Sequence, residues 1–537
     1  MTLSPVELPP DPERMIEGLR DTGYKFNTAL ADIIDNSIAA NAELVDVTVS
    51  MDFRGNIIVS VADDGIGMNR DELINAMKYG SDRRESAASL GKFGLGLKTA
   101  STAFCRRLSV ISRASGDEQP IEATWDLTHV ARENKWELLL SDTPNPDGLA
   151  HLEDMAPEAS GTVVVWSNID RLMKRDYQEP GGPHAQRAID RLIKDLRDHI
   201  GLTYQRFLDT DDKRAGNVVI SVNGEAVEAW DPFCIGVSDL VAAQTVPIEM
   251  DGGRESEFSV SAYILPRKEE FPDEETEKKA KLSNERQGIY IYRENRLIHN
   301  ADWLGMYSKE PHGTLLRIEF SFDHKLDEAF RVDIMKSEIN LNQDLWSWLK
   351  DEFLTAPRRE ANNRYRQGIR RKAVEKAKGS HDTSNTNIKG KEEELDTAKI
   401  TVIDPKTGEI EVNNRQGQFR LKLPVLNAAR PGEMFIQPMD GLNDNALFEP
   451  AIIDGKKAVR INTSHPYYHK VYIPNLSSGV TIQGMDSLLW GLCVAELNTG
   501  NDRTAEHFKE MRFEVSRLLR GLVEDLPEPD LDADEAA

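Results

Sequence analysis

The chain has 537 residues, a formal net charge of −25 and only three cysteines, which lie far apart. This length predicts roughly three domains of about 150 residues, each large enough to bury its own core. The acidic excess argues against a uniformly basic protein that coats nucleic acid, and the cysteines argue against a disulfide framework or a zinc site. No apolar run approaches the ~20 residues of a membrane helix, and residues 1–12 do not resemble a signal peptide. We therefore expect a cytoplasmic protein without membrane contact.

The apolar pattern along the chain predicts an α+β protein. It indicates a helical region at 12–40, strands at 44–50 and 56–62, a helix from 97, strands at 108–114, 122–125, 136–140 and 162–166, and a helix at 184–200. Residues 203–354 are predicted to mix strands and helices, with two strands around a turn at 288–298.

Three short segments in the first hundred residues carry the functional signal. Asp32 and Asn36 are four apart on a helical pattern, so a carboxylate and an amide share one face and can serve a water and a metal ion. Asp63 ends a β-branched apolar run and is followed by a glycine-containing turn, which lets the backbone approach a flat ligand. Residues 91–99 form a glycine-rich turn that opens a helix and would present N–H groups to phosphate. Together the three segments predict an ATP site.

The glycine-rich segment differs from two better-known nucleotide motifs. A P-loop needs Gly-Lys-Ser/Thr in direct sequence, whereas here Leu97 separates Gly96 from Lys98. A dinucleotide fingerprint needs a strand that runs directly into the glycines, but a charged stretch at 81–85 precedes them. The pattern therefore argues against both a Walker ATPase and a Rossmann fold.

In order and spacing the three segments resemble the N-box and the two glycine boxes of the GHKL (Bergerat-fold) ATPases, the group of type II topoisomerases, MutL, heat-shock chaperones and histidine kinases. Residues 160–166, a β-branched strand pattern, resemble the strand that carries a threonine near the adenine-binding aspartate. The sequences of these boxes are most similar to those of bacterial MORC-like ATPases, and the resemblance extends over about residues 10–350. The resemblance implies a Bergerat α/β sandwich as the N-terminal ATPase domain.

The resemblance also assigns roles to individual residues. It implies that Asp63 accepts the adenine amino group with Thr162 supporting it through a water, that Asn36 holds Mg²⁺, and that Asp32 polarises the attacking water. Residues 76–93 would form a lid over the triphosphate. The full set of residues implied to bind the nucleotide is Asn36, Asp63, Gly65, Gly67, Met68, Gly91, Gly94, Leu95, Gly96, Lys98 and Thr162. Most hydrolysing relatives carry glutamate in place of Asp32, and the shorter side chain predicts slow hydrolysis.

A second domain is implied by two further segments. Residues 288–298 and 330–338 resemble the transducer domain of MutL and MORC proteins. Lys336 matches the transducer lysine that reaches the γ-phosphate, which makes it the second catalytic candidate. A transducer argues against a histidine kinase, as does the lack of a histidine in residues 1–30.

A basic stretch follows the transducer-like region. Residues 357–378 contain nine Lys or Arg and two acids, so nine minus two gives a local charge of +7. On a helix this density predicts sequence-independent binding of double-stranded DNA through residues 358–378. A solvated connecting helix remains the alternative.

The predicted domains are 1–200, a GHKL ATPase domain; 201–355, a transducer-like α/β domain; 356–398, a basic helix and flexible linker; 399–523, a mixed α/β domain of unknown role that can bind partner proteins; and 524–537, an acidic disordered tail. Within the fourth, we expect strands at 418–424, 457–463 and 469–473 and helices at 485–498 and 504–522.

These features predict an ATP-dependent conformational switch, with ATP and Mg²⁺ as cofactors, that forms a homodimer on ATP binding and acts on DNA. The resemblance suggests restriction, repair or phage defence as its setting. The sequence leaves two alternatives open, namely a chaperone-like clamp on protein clients and an ATP-binding scaffold with little hydrolysis.

Overall fold

The computed structural model describes residues 10–21, 23–80, 90, 96–116, 119–173, 177, 179–250, 254–327, 330, 343–376, 379–395, 397–442, 446–501 and 503–527. The chain divides into two compact units, Met1–Asn362 and Asn363–Ala537. The predicted α+β class is confirmed in both.

An eight-stranded sheet forms the centre of the N-terminal region. Its strands are β1 (Leu44–Met51), β2 (Ile57–Asp63), β3 (Cys105–Arg113), β4 (Ile121–Asp126), β5 (Leu139–Ser141), β6 (Gly161–Ile169), β7 (Val219–Val222) and β8 (Glu225–Ala226). They lie in the order β5-β4-β3-β6-β2-β1-β7-β8, with β1 and β7 parallel and the other neighbours antiparallel. The last two strands come after residue 200, where the sequence predicted the ATPase domain to end.

Helices cover both faces of this sheet. They are α1 (Pro12–Arg20), α2 (Phe26–Ala39), α3 (Arg70–Met77), α4 (Gly96–Thr102), α5 (Leu127–Glu133), α6 (Pro146–Met155), α7 (Pro183–Thr203) and α8 (Gln205–Leu208). Helix α2 packs against α4, α7 and β2. Alternate residues of β2 point to opposite faces, so Val61 joins the main core with Ile33 of α2, whereas Ala62 joins a small core with Leu152 of α6. Helix α2 is thus part of the main core, where its polar side chains need hydrogen-bond or ion-pair partners.

A five-stranded sheet follows in the same unit. Its strands are β9 (Asp239–Met250), β10 (Arg254–Ile264), β11 (Gly288–Arg293), β12 (Arg296–Asp302) and β13 (Leu316–Phe322), in the order β12-β11-β13-β10-β9. Glu294 and Asn295 join β11 to β12 with φ of +47° and +66°, the left-handed conformation typical of a two-residue hairpin turn. The predicted pair of strands at 288–298 is confirmed, and the turn makes Arg296 the first residue of β12.

The remaining helices of this part of the chain are α9 (Glu274–Ala280), α10 (Gln343–Ser347), a π-helix (Trp348–Phe353) and α11 (Thr355–Lys376). Helix α11 covers most of the predicted basic stretch.

Apart from the part of α11 that belongs to it, the second unit contains two small sheets and four α-helices in its described residues. The elements are α12 (Asp382–Lys389), α13 (Glu392–Leu395), β14 (Lys399–Asp404), β15 (Glu409–Asn414), β16 (Gly417–Lys422), β17 (Val425–Leu426), β18 (Ile436–Met439), β19 (Phe448–Ile453), β20 (Lys456–Asn462), α14 (Gly479–Thr499) and α15 (Ala505–Leu522). The sheets have the orders β14-β15-β16 and β17-β19-β20-β18, and α14 packs on β19 and β20. Across the described ranges of both units, no helix is long and apolar enough to cross a membrane.

The structure corrects the prediction of a flexible linker at 379–396. Helix α12 lies there, and its residue Asn385 is buried. The Asn385 amide donates to the carbonyl of Ile436 (3.1 Å) and accepts from the N–H of Phe435 (2.8 Å). The polar composition was misleading because hydrogen-bonded polar side chains can be buried at little cost.

The strand predicted at 469–473 is also wrong. Residues Tyr468–Tyr472 form a π-helix, in which both terminal tyrosines are buried and their rings stack with centroids 4.7 Å apart. Aromatic residues favour strands in general, but here tertiary packing of the two rings overrides that preference. The acidic tail predicted at 524–537 lies mostly outside the described residues.

Candidate functional site

Helix α2 is the centre of the candidate site. Nine of its fourteen residues are buried, and it ends where Asn41 takes up the left-handed conformation (φ +58°) that commonly follows a helix C-terminus. Three of its polar residues, Asp32, Asp35 and Ser37, are among the buried ones. Buried polar groups are costly unless they are paired, so the partners of these three define the site.

Ser37 joins α2 to the end of β2. Its hydroxyl donates to Asp63 Oδ2 (2.7 Å), while the N–H of Gly65 donates to Asp63 Oδ1 (3.1 Å). Burial raises the pKa of Asp63 to about 6, although the two donors act in the opposite direction. Asp63 is therefore a buried hydrogen-bond acceptor that titrates near neutral pH.

The glycines that follow Asp63 are required by close packing. Gly67 has φ of +65°, and a Cβ at this position would lie 1.9 Å from the carbonyl oxygen of Arg113. A Cβ at Gly65 would lie 2.9 Å from the Cβ of Ala40, just beyond α2. Both positions thus need glycine so that this turn can rest between α2 and β3.

Thr162 lies beside Asp63, since the two residues face each other across β6 and β2. Its hydroxyl is hydrogen-bonded to that of Ser112 (2.8 Å), which also accepts from the N–H of Met68 (2.8 Å). The structure therefore brings Asp63, Met68 and Thr162 together. Sequence reasoning missed Ser112, which links them, because a serine within a strand carries no distinctive signal.

Asp32 lies one helical turn before Asn36, as the spacing predicted. The Tyr24 hydroxyl donates to Asp32 Oδ2 (2.8 Å), and a Cβ at Gly96 would lie only 3.4 Å from the same oxygen. The first residue of α4 thus lies directly against the Asp32 carboxylate. Tyr24 precedes the helix and was missed, because its contact depends on how the chain enters α2.

The Asn36 side chain fits a role as a magnesium ligand. Its amide nitrogen donates to the backbone carbonyl of Asp32 (2.9 Å), and its amide oxygen is the kind of ligand atom that Mg²⁺ prefers. In nucleotide sites Mg²⁺ is usually bound by one or two protein oxygens together with the phosphates. Within the described residues, no group of three or more His, Cys, Asp and Glu side chains could hold a metal ion.

Lys98 was predicted to contact the phosphates. Its side chain is 1% exposed, and its ammonium group donates to the carbonyl of Ala76 at the end of α3 (2.8 Å). Its role at the phosphates stays a prediction. The predicted residues Gly91, Gly94, Leu95 and Lys336 lie outside the described residues, as does most of the predicted lid.

Asp35 is paired with an arginine of the second sheet. Arg296 Nε donates to Asp35 Oδ1 (2.9 Å), which also accepts from the Tyr204 hydroxyl (2.8 Å). Arg296 Nη2 lies 3.9 Å from Asp32 Oδ1. Sequence reasoning assigned Arg296 only to a strand, because nothing local indicates that β12 meets α2.

Comparison with known proteins agrees with this site. Residues 24–162 match the family of histidine kinase-, DNA gyrase B- and HSP90-like ATPases. ATPase MORC2B of Mus musculus is 32% identical over 77 residues, and ATPase morc-1 of Caenorhabditis elegans is 28% identical over 89 residues. These alignments cover 14% and 17% of this chain but only 8% and 10% of the two relatives.

Among solved structures, the N-terminal domain of a DNA repair protein aligns with 66% of this chain and 98% of its own, at 15% identity and a TM-score of 0.38. The family match spans α2, β2 and the start of β6, which carry Asp32, Asn36, Asp63 and Thr162. Residues 24–162 thus match the GHKL ATPases, and short stretches of the chain are similar to two MORC members of that group.

Proposed function

We propose that this protein is a Mg²⁺-dependent ATP hydrolase that acts as a conformational switch on double-stranded DNA. The observation that carries the proposal is the hydrogen bond between Ser37 and Asp63 (2.7 Å). It joins the carboxylate suited to adenine to the helix that carries Asp32 and Asn36, so one ligand with a base at one end and phosphates at the other can reach all three.

Each side chain has a distinct task in this proposal. Asp63 accepts a hydrogen bond from the adenine amino group, and the Asn36 oxygen binds the metal. When bound, Mg²⁺ neutralises charge on the phosphates. Asp32, oriented by Tyr24, accepts a proton from the attacking water. Lys336 contacts the γ-phosphate from the second domain, and two copies of the chain associate while ATP is bound.

The DNA-binding role is supported by the charge of the stretch 357–378, which is +7 within a chain of −25. Residues 357–376 of this stretch lie in α11, so all of its cationic residues except Lys378 belong to one continuous helix. Such binding is independent of sequence and weakens steeply with salt.

The first test is Mg-ATP turnover with and without double-stranded DNA. Asp32→Asn should lower kcat by about a hundredfold or more while nucleotide still binds, as expected for loss of a general base. Asp190→Asn, on the exposed face of α7, is the matched control and should hydrolyse ATP normally. Nucleotide binding without turnover in the unmodified protein would instead favour the ATP-binding scaffold.

The second test concerns DNA. Changing Arg370, Arg371 and Lys372 together to alanine should weaken binding and lower the salt-dependence slope by about one for each lost phosphate contact. The control removes three exposed lysines elsewhere, at Lys268, Lys278 and Lys279, and should leave DNA binding intact. Turnover that responds to protein clients but not to DNA would favour the chaperone-like clamp.

A further inference from the structure

Arg296 reaches from the second sheet into the buried surroundings of Asp32. It is the first residue of β12, and it contacts two carboxylates that lie three positions apart on α2. We propose that Arg296 is a positioning residue for ATP hydrolysis, which fixes the Asp32 carboxylate and makes its orientation depend on the docking of the β11–β12 turn. This inference rests on the proposed function, since it assumes that Asp32 is the base.

The carboxylates of Asp35 and Asp32 lie at different distances from the Arg296 guanidinium group. Nε donates to Asp35 Oδ1 at 2.9 Å, a direct hydrogen bond that anchors the arginine. Nη2 stands 3.9 Å from Asp32 Oδ1, too far for a hydrogen bond but close enough for strong attraction. Asp32 therefore lies between the Tyr24 hydroxyl at one oxygen and a fixed positive charge near the other.

Because the Arg296 guanidinium is buried, its charge acts strongly on its neighbours, and the group stays protonated. Burial alone would lower the pKa of Arg296, but the charges of Asp35 and Asp32 outweigh it and hold the pKa above its usual range. Two carboxylates three apart on one helix would otherwise repel each other in a region with little water. Arg296 is thus the counter-charge that allows both to be buried at the centre of α2.

The position of Arg296 in the second sheet links that sheet to the site. Arg296 directly follows the left-handed turn at Glu294 and Asn295, so its backbone moves with the turn. Asn295 is held separately by Arg206 of α8, whose Nη1 donates to its side-chain oxygen (3.1 Å). A displacement of the turn would therefore withdraw the charge from Asp32 while leaving Asn36 and Asp63 in place. Docking of the second sheet would then control hydrolysis more than nucleotide binding.

The test compares two buried arginines of the second sheet, one of which reaches α2 while the other, within the described residues, contacts neither α2 nor the turn. Arg296→Lys retains a charge, but a single ammonium cannot bridge Asp35 and Asp32 as the guanidinium does. We expect kcat to fall about tenfold or more, as for a misplaced catalytic group, with KM and the dissociation constant for Mg-ATP changed less than about twofold. Arg317→Lys, the matched control, replaces another buried arginine of the second sheet, which donates to the carbonyls of Pro232 and Ala280 rather than to the turn or to α2, and it should leave kcat unchanged.

Two further measurements separate positioning from a general structural role. In the nucleotide-free proteins, amide hydrogen exchange of α2 should be faster in Arg296→Lys than in Arg317→Lys. In the Asp32→Asn background, Arg296→Lys should cause no additional loss of turnover, because its effect passes through Asp32. A loss of the same factor in both backgrounds would overturn the inference.

A second variant covers the case in which Arg296→Lys does not fold. Asp35→Asn is isosteric and retains Arg296, but it removes the charge that anchors Nε, so it should also lower kcat without weakening nucleotide binding. Full kcat in Arg296→Lys or Asp35→Asn, with Asp32→Asn inactive, would overturn this inference and leave the proposed function intact. Equal turnover by Asp32→Asn and the unmodified protein would overturn the proposed role of Asp32 itself.

Discussion

The two ends of the candidate site contain carboxylates that are buried equally but have different partners. Asp32 and Asp63 are each 5% exposed. Asp63 is held by the neutral donors Ser37 and Gly65, and its pKa is raised to about 6. Asp32 has the Tyr24 hydroxyl and the charge of Arg296. The difference teaches that depth of burial alone does not set the surroundings of a carboxylate in this site, since one has a neighbouring guanidinium and the other is held by neutral donors.

The largest expected effect comes from removing that counter-charge. Arg296→Met should lower the free energy of unfolding by about 3–5 kcal/mol, because Asp35 and Asp32 would remain buried without their cation. Calorimetry of the full chain would follow the transition of the first unit. Arg197→Met is the control, since its partner Glu225 is exposed and this ion pair should contribute less than about 1 kcal/mol. Equal losses in the two variants would contradict a special role for Arg296.

At the adenine end, we expect backbone packing to contribute more than charge to the free energy of unfolding. Gly67→Ala should cost about 2–3 kcal/mol, because it adds a clash with the Arg113 carbonyl to the strain of a positive φ. Gly224→Ala has a similar φ of +75° but no atom within 4 Å of the new Cβ, so it should cost about 1 kcal/mol. Urea unfolding of both variants would test the difference, and equal costs would show that the turn can move.

The raised pKa of Asp63 predicts pH-dependent adenine binding. The protonated carboxyl cannot accept from the amino group in the same way, so affinity should be full above about pH 6 and fall about tenfold for each unit below it. Calorimetric titration with adenosine avoids the ionisation of phosphates. Asp63→Asn should bind more weakly and show no such dependence. An affinity that stays constant from pH 5 to 8 would contradict the ionised form as the acceptor.

The sequence predicted the parts of this site that lie in continuous segments. Asp32 and Asn36 share one helix, and Asp63 ends a strand, so periodicity and turn residues placed them, and the resemblance to the GHKL boxes singled them out. Arg296 lies 261 positions from Asp35 in the sequence. Their contact requires β12 of the second sheet to pack near α2, which no local sequence pattern encodes. The same limit explains why β7 and β8 were not predicted to join the first sheet.

The smallest expected effect is a shift in the pKa of Asp63 at the adenine end. Ser37→Ala removes a donor to the charged form of Asp63, which should raise the pKa of Asp63 and shift the midpoint of adenosine binding upward by less than about one pH unit. Ser112→Ala is the control, because Ser112 contacts Thr162 and Met68 and, in the described structure, is not hydrogen-bonded to Asp63. It should lower affinity without moving the midpoint. An unchanged midpoint in Ser37→Ala would mean that burial alone sets the pKa of Asp63, and an equal shift in both variants would mean that the effect does not pass through the Ser37 hydrogen bond.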